Sequence, residues 1–426
     1  MPVSPQEAPN SPPEERIRHG RMRFIAMVIA YTLGNFNDNF NKQAVSLLAL
    51  TYHHTSLQGW IGIAFTIPFL LFAAPAGWLA DRFPRRRVII LAKMLEVVLL
   101  GMGGVGIMTL NWSFILIVVF FMAIQATIFG TSLTGSIPDV FPEKEVVHAN
   151  ARLTSATTAG ILLGVVAAGL ALNFKGMFHG LPQGRLIAAS MMIIVSIIGL
   201  IASFGAPRCP AGNPKAPFPW AGPIDSIKNL WELRTDRLLI AAILSNAYFW
   251  FIAALQVLFI NKMGIIQFGL DYAATSYLAL AELLGVTLGA IVAGNLVAKD
   301  NGLWVTPMAA MGLALFLCLI GISPIFPLHL RLIYVLAMLV CAGVAGGIMM
   351  VPLGSFFQTR PLPERRGRVI AVSWFTWSVG IVLGSGLYLP LEKSLESTIV
   401  FILMGMFTLP VAMLMSVVFM RRKPMP

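Results

Sequence analysis

Gly77-Trp78-Leu79-Ala80-Asp81-Arg82-Phe83-Pro84-Arg85-Arg86-Arg87 places five charges within seven residues, between apolar runs at roughly 58–80 and 87–108. A short charged hinge between two runs of about 20 apolar residues reads as a pair of membrane-spanning helices joined at a water interface. The alternation continues along the chain. Of its 426 residues 57% are hydrophobic and only 11% charged, where soluble domains average about 45–50% and about 25%. So little charge cannot cover a soluble surface, which excludes the soluble enzyme classes. The apolar runs are continuous, which excludes a β-barrel with its short alternating segments. Cys318 and Cys341 lie inside apolar runs, and the three cysteines have neither disulfide nor metal spacing. The net charge of +12 reads as basic cytoplasmic loops, with no nucleic-acid partner, no cofactor and no metal expected.

Outward from the hinge, apolar segments fall at roughly 24–51, 58–80, 87–108, 112–138, 151–174 and 185–205. A second set falls at roughly 237–261, 272–298, 303–325, 330–356, 368–390 and 397–420. Twelve spans are therefore expected, each long enough for a tilted helix. The division is a cytoplasmic tail at 1–23, a six-helix bundle at 24–205, a linker at 206–236, a second bundle at 237–420 and a tail at 421–426. The linker carries six prolines and an amphiphilic stretch around Ile227–Trp231. With both termini cytoplasmic, the outside loops hold Lys175, Arg185, Lys262, Arg331 and Lys393, and nearly all other Lys and Arg lie inside. That asymmetry sets the expected orientation.

The halves read as copies. Gly160-Ile161-Leu162-Leu163-Gly164 stands 220 residues before Gly380-Ile381-Val382-Leu383-Gly384, and such parallel duplication marks many transporters. The glycine pairs themselves read as close helix packing. The hinge matches G-x-x-x-D-R-x-x-[RK]-[RK], and with twelve spans split six and six it resembles the signature of the major facilitator superfamily. The resemblance implies an all-α fold of two six-helix bundles working by alternating access around a central cavity. It implies gating roles for Gly77, Asp81, Arg82 and Arg86: Gly77 allows close helix contact, Asp81 pairs with cationic neighbours, and the arginines anchor the loop. No Walker motif is present, so no ATPase is expected. The chain reads as a transporter with no catalytic residues.

Polar residues at bilayer depth mark substrate or ion pathways. Tyr31, Asn35, Asp38, Asn39 and Lys42 share one stripe of the first span, with Asn37 and Asn41 opposite. One face is expected to line the cavity and the other to meet a neighbouring helix. Asp38 and Lys42 are an i,i+4 pair suited to a zwitterion, carboxylate to ammonium and lysine to phosphate; a self-satisfied pair and a proton carrier stay open. Lys93 and Glu96 read as a structural pair near the inner interface, with Lys93 snorkelling. Glu282 and Gln256 are further cavity candidates. Thr127, Thr131, Ser132 and Thr134 could bond substrate but are expected to bond their own helix. His53, His54 and His179 are too few for a metal site.

Leu33-Gly34-Asn35-Phe36-Asn37-Asp38-Asn39-Phe40-Asn41-Lys42-Gln43-Ala44 resembles the first-helix string of the bacterial lysophospholipid transporter family. Tyr248-Phe249-Trp250-Phe251 with Leu255-Gln256, and Asn150-Ala151 before Gly160, are similar to its seventh-helix and fifth-helix motifs. The resemblance implies inward movement of lysophospholipids, chiefly lysophosphatidylethanolamine, for reacylation. Asp38 and Lys42 then bind the head group, with Asn35, Asn39, Gln256 and Glu282 as further contacts. Where the family has a fourth-helix lysine this chain has Leu133, and Thr154 replaces an acid, which reads as a divergent member lacking a cavity cation. The expected partners are the amphiphile, membrane lipids and a separate cytoplasmic acyltransferase, for a monomer in the bacterial inner membrane. The alternative is a proton-coupled exporter of drugs or hydrophobic metabolites; a non-transporting sensor or scaffold is the third reading.

Overall fold

The computed structural model describes residues 13–137, 141, 143–207, 213–297 and 302–420. Residues 1–12 and 421–426 of the expected tails, and Pro138 and Asp139 of the fourth-helix string, lie outside the described residues. The described residues form thirteen α-helices. In chain order they are α1 (Pro13–Thr51), α2 (Leu57–Arg82), α3 (Arg85–Thr109), α4 (Trp112–Gly135), α5 (Glu143–Leu172) and α6 (Gln183–Ser203). After α7 (Gly222–Leu233) come α8 (Arg237–Lys262), α9 (Tyr272–Val297), α10 (Val305–Gly321), α11 (Leu328–Thr359), α12 (Pro363–Ser394) and α13 (Ser397–Phe419).

Helices are what such apolar runs must form, because lipid offers the backbone no hydrogen-bond partners. Polar side chains close the ends where water returns: Asn111 accepts from the Phe114 amide at 3.1 Å and Asp236 from the Leu239 amide at 3.2 Å. Among the described residues eleven helices are long and apolar enough to cross a membrane. α1, at 39 residues, is the twelfth long helix; its polar stripe, and not its length, sets it apart. The extra helix, α7, comes from the expected amphiphilic stretch of the linker. Its Ile224, Ile227 and Trp231 are exposed along one side, the pattern of a helix lying in a membrane interface.

The chain divides into two compact units, Met1–Val45 with Ile67–Gly222, and Ser46–Thr66 with Pro223–Pro426. In the first unit α3 packs against α4 and α6. In the second, α9 packs on α11, α10 on α13 and α11, and α8 on α12. The expected glycine repeat is structural. Gly160 and Gly164 of α5 lie on the carbonyls of Thr32 and Phe36 in α1, and Gly380 and Gly384 of α12 lie on those of Ala247 and Phe251 in α8. A methyl at Gly164 or Gly384 would stand 2.5 Å from the facing carbonyl oxygen, so only glycine allows this approach.

The turn between α1 and α2 belongs with the second unit. There the buried Gln58 amide donates to the Tyr388 hydroxyl at 2.8 Å, and that hydroxyl donates to the Thr55 carbonyl at 3.2 Å. Tyr388 is fully buried, edge-on to Phe259 with ring centroids 4.9 Å apart. Lys262 at the end of α8 donates to the carbonyls of Glu392 and Leu395. Sequence reading singled out neither Gln58 nor Tyr388, since Gln58 closes a polar turn, Thr51-Tyr52-His53-His54-Thr55-Ser56, and Tyr388 is a lone polar residue in an apolar run.

Candidate functional site: the polar face of the first helix

α1 carries polar groups on two sides because two different surroundings receive them. Tyr31, Asn35, Asp38, Asn39 and Lys42 are half-buried, whereas Asn37 and Asn41 are fully packed. On the packed side the Asn37 amide donates to Glu96 Oε1 at 3.3 Å, and the Asn41 amide to Met122 Sδ at 3.3 Å. That side meets α3 and α4, as the periodicity predicts. On the open side the amides of Asn35 and Asn39 donate back to the carbonyls of Tyr31 and Asn35, at 2.9 and 2.8 Å. Their side-chain oxygens are left to whatever lies against this face. Asp38 is electrostatically coupled to Lys42 on its own helix and to Lys93 and Glu96 on α3.

Lys93 departs from expectation. It does not snorkel: it is 0% exposed and its ammonium meets Glu96 Oε2 at 2.6 Å. The Gln125 amide donates to the same carboxylate at 3.2 Å, and the Lys93 ammonium stands 4.4 Å from the centre of the Phe129 ring. An i,i+3 pair fixes the neighbours of each charge but not how deep the helix sits, which is why the sequence misplaced it.

Glu282 on α9 is buried, and its Oε2 has no hydrogen-bond partner among the described residues. Gln256 on α8 is buried too. The glycine contacts superimpose Thr32 on Ala247 and Phe36 on Phe251, which carries Asn41 onto Gln256 and Asp38 onto Ala253. Gln256 therefore repeats the packed side of α1 and not its open side. Thr127, Thr131 and Thr134 bond the carbonyls of Ala123, Thr127 and Gly130, as expected of hydroxyls in a span, whereas the buried Ser132 hydroxyl departs from that expectation and has no hydrogen-bond partner among the described residues.

Leu133 corrects another expectation. It is 0% exposed within a cluster of Met27, Ile89, Phe129 and Leu153. That position faces the apolar core of the first unit, so leucine there removes no cation from an open surface. Thr154 is exposed.

At the charged hinge Asp81 pairs with Arg85 at 3.4 Å, and Arg85 also donates to the Gly135 carbonyl at the end of α4. Arg86 donates to the carbonyls of Ala206 and Phe204 beyond α6, at 3.1 and 2.9 Å. Arg82 and the Trp78 indole both donate to Ala216 of the linker. The arginines thus neutralise helix C-termini and hold the linker as much as they face lipid. Around Gly77 no described atom lies within 4 Å of an added methyl, so the described residues show no close helix contact there.

A family model of the Major Facilitator Superfamily matches residues 25–385. The chain belongs to the major facilitator superfamily. Among curated relatives, the lysophospholipid transporter LplT of Klebsiella pneumoniae subsp. pneumoniae is 26% identical over 375 residues, covering 85% of this chain and 87% of that protein. LplT of an Escherichia coli O139:H28 strain is 25% identical with the same coverage. Among solved structures, a bacterial homologue of the human lysosomal transporter Spinster matches with a TM-score of 0.68 at 15% identity, covering 98% of this chain and all of that one. A mutant of the nucleoside transporter NupG matches with a TM-score of 0.73 at 12% identity, covering 94% and 100%. The fold is thus the all-α major facilitator fold, and the protein is a multi-pass membrane transporter of that superfamily.

Proposed function

We propose that this protein moves a lysophospholipid, such as lysophosphatidylethanolamine, or a similar amphiphile across the bacterial inner membrane by alternating access, with both termini cytoplasmic. The observation that carries the reading is the half-buried stripe on α1, which sets one carboxylate, one ammonium and two amides along one face of a membrane-depth helix. Asp38 takes the ammonium of the head group and Lys42 its phosphate, each a charge-assisted contact. Asn35 and Asn39 offer acceptors beside them. The LplT relatives support the substrate class. Asp81, Arg82 and Arg86 act at the hinge as the gating set, and reacylation falls to a separate cytoplasmic acyltransferase. The working unit is a monomer.

One observation favours a second reading. The buried Glu282 carboxyl, whose Oε2 has no hydrogen-bond partner among the described residues, suits a proton carrier, as a proton-coupled exporter of drugs or hydrophobic metabolites needs. Uptake of labelled lysophosphatidylethanolamine into proteoliposomes, with and without an uncoupler, separates the two. Uptake that persists with the uncoupler supports lipid movement down its own gradient. Uptake that stops with the uncoupler transfers the argument to Glu282. No uptake by folded, inserted protein removes this lipid as the substrate.

A further inference from the structure

Lys93 and Glu96 are the most deeply buried ion pair among the described residues, and the function proposed above does not use them. Four helices converge on it. Glu96 of α3 accepts from Lys93, from Asn37 of α1 and from Gln125 of α4. The ammonium stands against the Phe129 ring of α4 and in the gaps left by two glycines: a methyl at Gly34 of α1 would lie 2.9 Å from it, and one at Gly199 of α6 3.4 Å. The site is built around these two charges.

Stability does not explain it, because exchanging a buried ion pair for apolar residues of similar volume is commonly neutral or stabilising. Its geometry does something else. Asn37 is bonded to Glu96 and precedes Asp38 in the chain, about 100° away around the helix. The buried Phe36 and Phe40, with the α5 glycines on Thr32 and Phe36, seat one side of α1. On the side that faces α3, at the level of the polar stripe, the Asn37–Glu96 bond and the Gly34–Lys93 contact set its rotation. We propose that Lys93 and Glu96 are positioning residues that set the rotation of α1 about its axis and so hold Asp38, Asn35, Asn39 and Lys42 on the open side for the substrate head group.

The inference rests on the head-group role proposed for Asp38, so its test includes a readout that needs no substrate. In protein whose native cysteines are replaced by alanine, Asn39→Cys should react quickly with a water-soluble maleimide and Asn37→Cys hardly at all. Adding Lys93→Met with Glu96→Leu, a pair of apolar replacements, should leave the thermal midpoint in detergent unchanged or higher. It should also bring the two labelling rates within about threefold of each other. Without the cysteines, the same double variant should raise KM for lysophosphatidylethanolamine about tenfold with a smaller change in kcat, as misplacement of binding groups does. Should the double variant not fold, Asn37→Leu keeps the ion pair bonded through Gln125 and removes only the link to α1; its KM should rise about threefold. Unchanged labelling selectivity in the folded double variant, or an unchanged KM in Asn37→Leu, overturns the proposal. Altered labelling without any lysophospholipid uptake by the parent protein would instead count against the substrate.

Discussion

The two units share a scaffold and differ in where they keep their charge. In both, a Gly-xxx-Gly helix lies on the backbone of the helix that opens the unit: α5 on α1, and α12 on α8. On that common frame α1 carries Asn35, Asn37, Asp38, Asn39, Asn41 and Lys42, whereas the matching stretch of α8 keeps only Gln256 among Trp250, Ile252, Ala253 and Val257. The first unit also buries the Lys93–Glu96 pair, and the second buries Glu282 with one carboxylate oxygen unpartnered among the described residues. The two units thus share a packing contact while their polar chemistry differs. Contacts between backbones depend on a few small residues, whereas polar side chains at depth persist only where they are used.

The largest expected break in this asymmetry is Lys93→Ala. It strands the Glu96 carboxylate and should cost about 3–5 kcal/mol, seen as loss of monodisperse protein in detergent. Gln256→Ala in the second unit should cost only about 1 kcal/mol. Leu133→Lys introduces the lysine that the family resemblance led one to expect but buries it among Met27, Ile89 and Leu153. It should lower stability by several kcal/mol, as burial of an unpaired charge does, without tightening substrate binding. If the variant stays stable and binds more tightly, the assignment of position 133 to the core is wrong.

The shared frame makes a different prediction. Gly164→Ala and Gly384→Ala each push a methyl at a backbone carbonyl, that of Phe36 or Phe251, so each should cost about 1–3 kcal/mol by overpacking. A midpoint shift in only one of them would show that the repeat is not structurally equivalent. Smaller again is Tyr388→Phe. It removes a hydrogen bond to Thr55 and leaves Gln58 without its acceptor, a loss of about 1–2 kcal/mol in thermal stability.

Much of this was legible in the chain. The hinge at 77–87, the six-and-six spacing and the glycine repeat are local patterns that survive translation into helices. The two-sided pattern of α1 was legible because a 100° step assigns each residue to a side without knowing the neighbours. What was hidden depended on neighbours and depth. Lys93 looked like an interfacial residue because its ion-pair partner Glu96 is one turn away and says nothing of depth, whereas the part of α1 that covers it, at Gly34, is remote in sequence. Leu133 looked like a lost cavity cation because a motif gives position without direction. Gln256 read as a cavity group until the glycine contacts fixed its phase to that of Asn41. Gln58 and Tyr388 could be paired only once the α1–α2 turn was placed on α12.

What remains to be measured is whether the open side of α1 binds the substrate head group. Its most direct test is the Kd of lysophosphatidylethanolamine for purified wild type, Asp38→Asn and Gln256→Leu, measured side by side by tryptophan fluorescence. The account predicts about tenfold or weaker binding for Asp38→Asn, the loss of a charge-assisted contact, and less than about threefold for Gln256→Leu. Equal losses in the two variants, or a loss confined to Gln256→Leu, would contradict it.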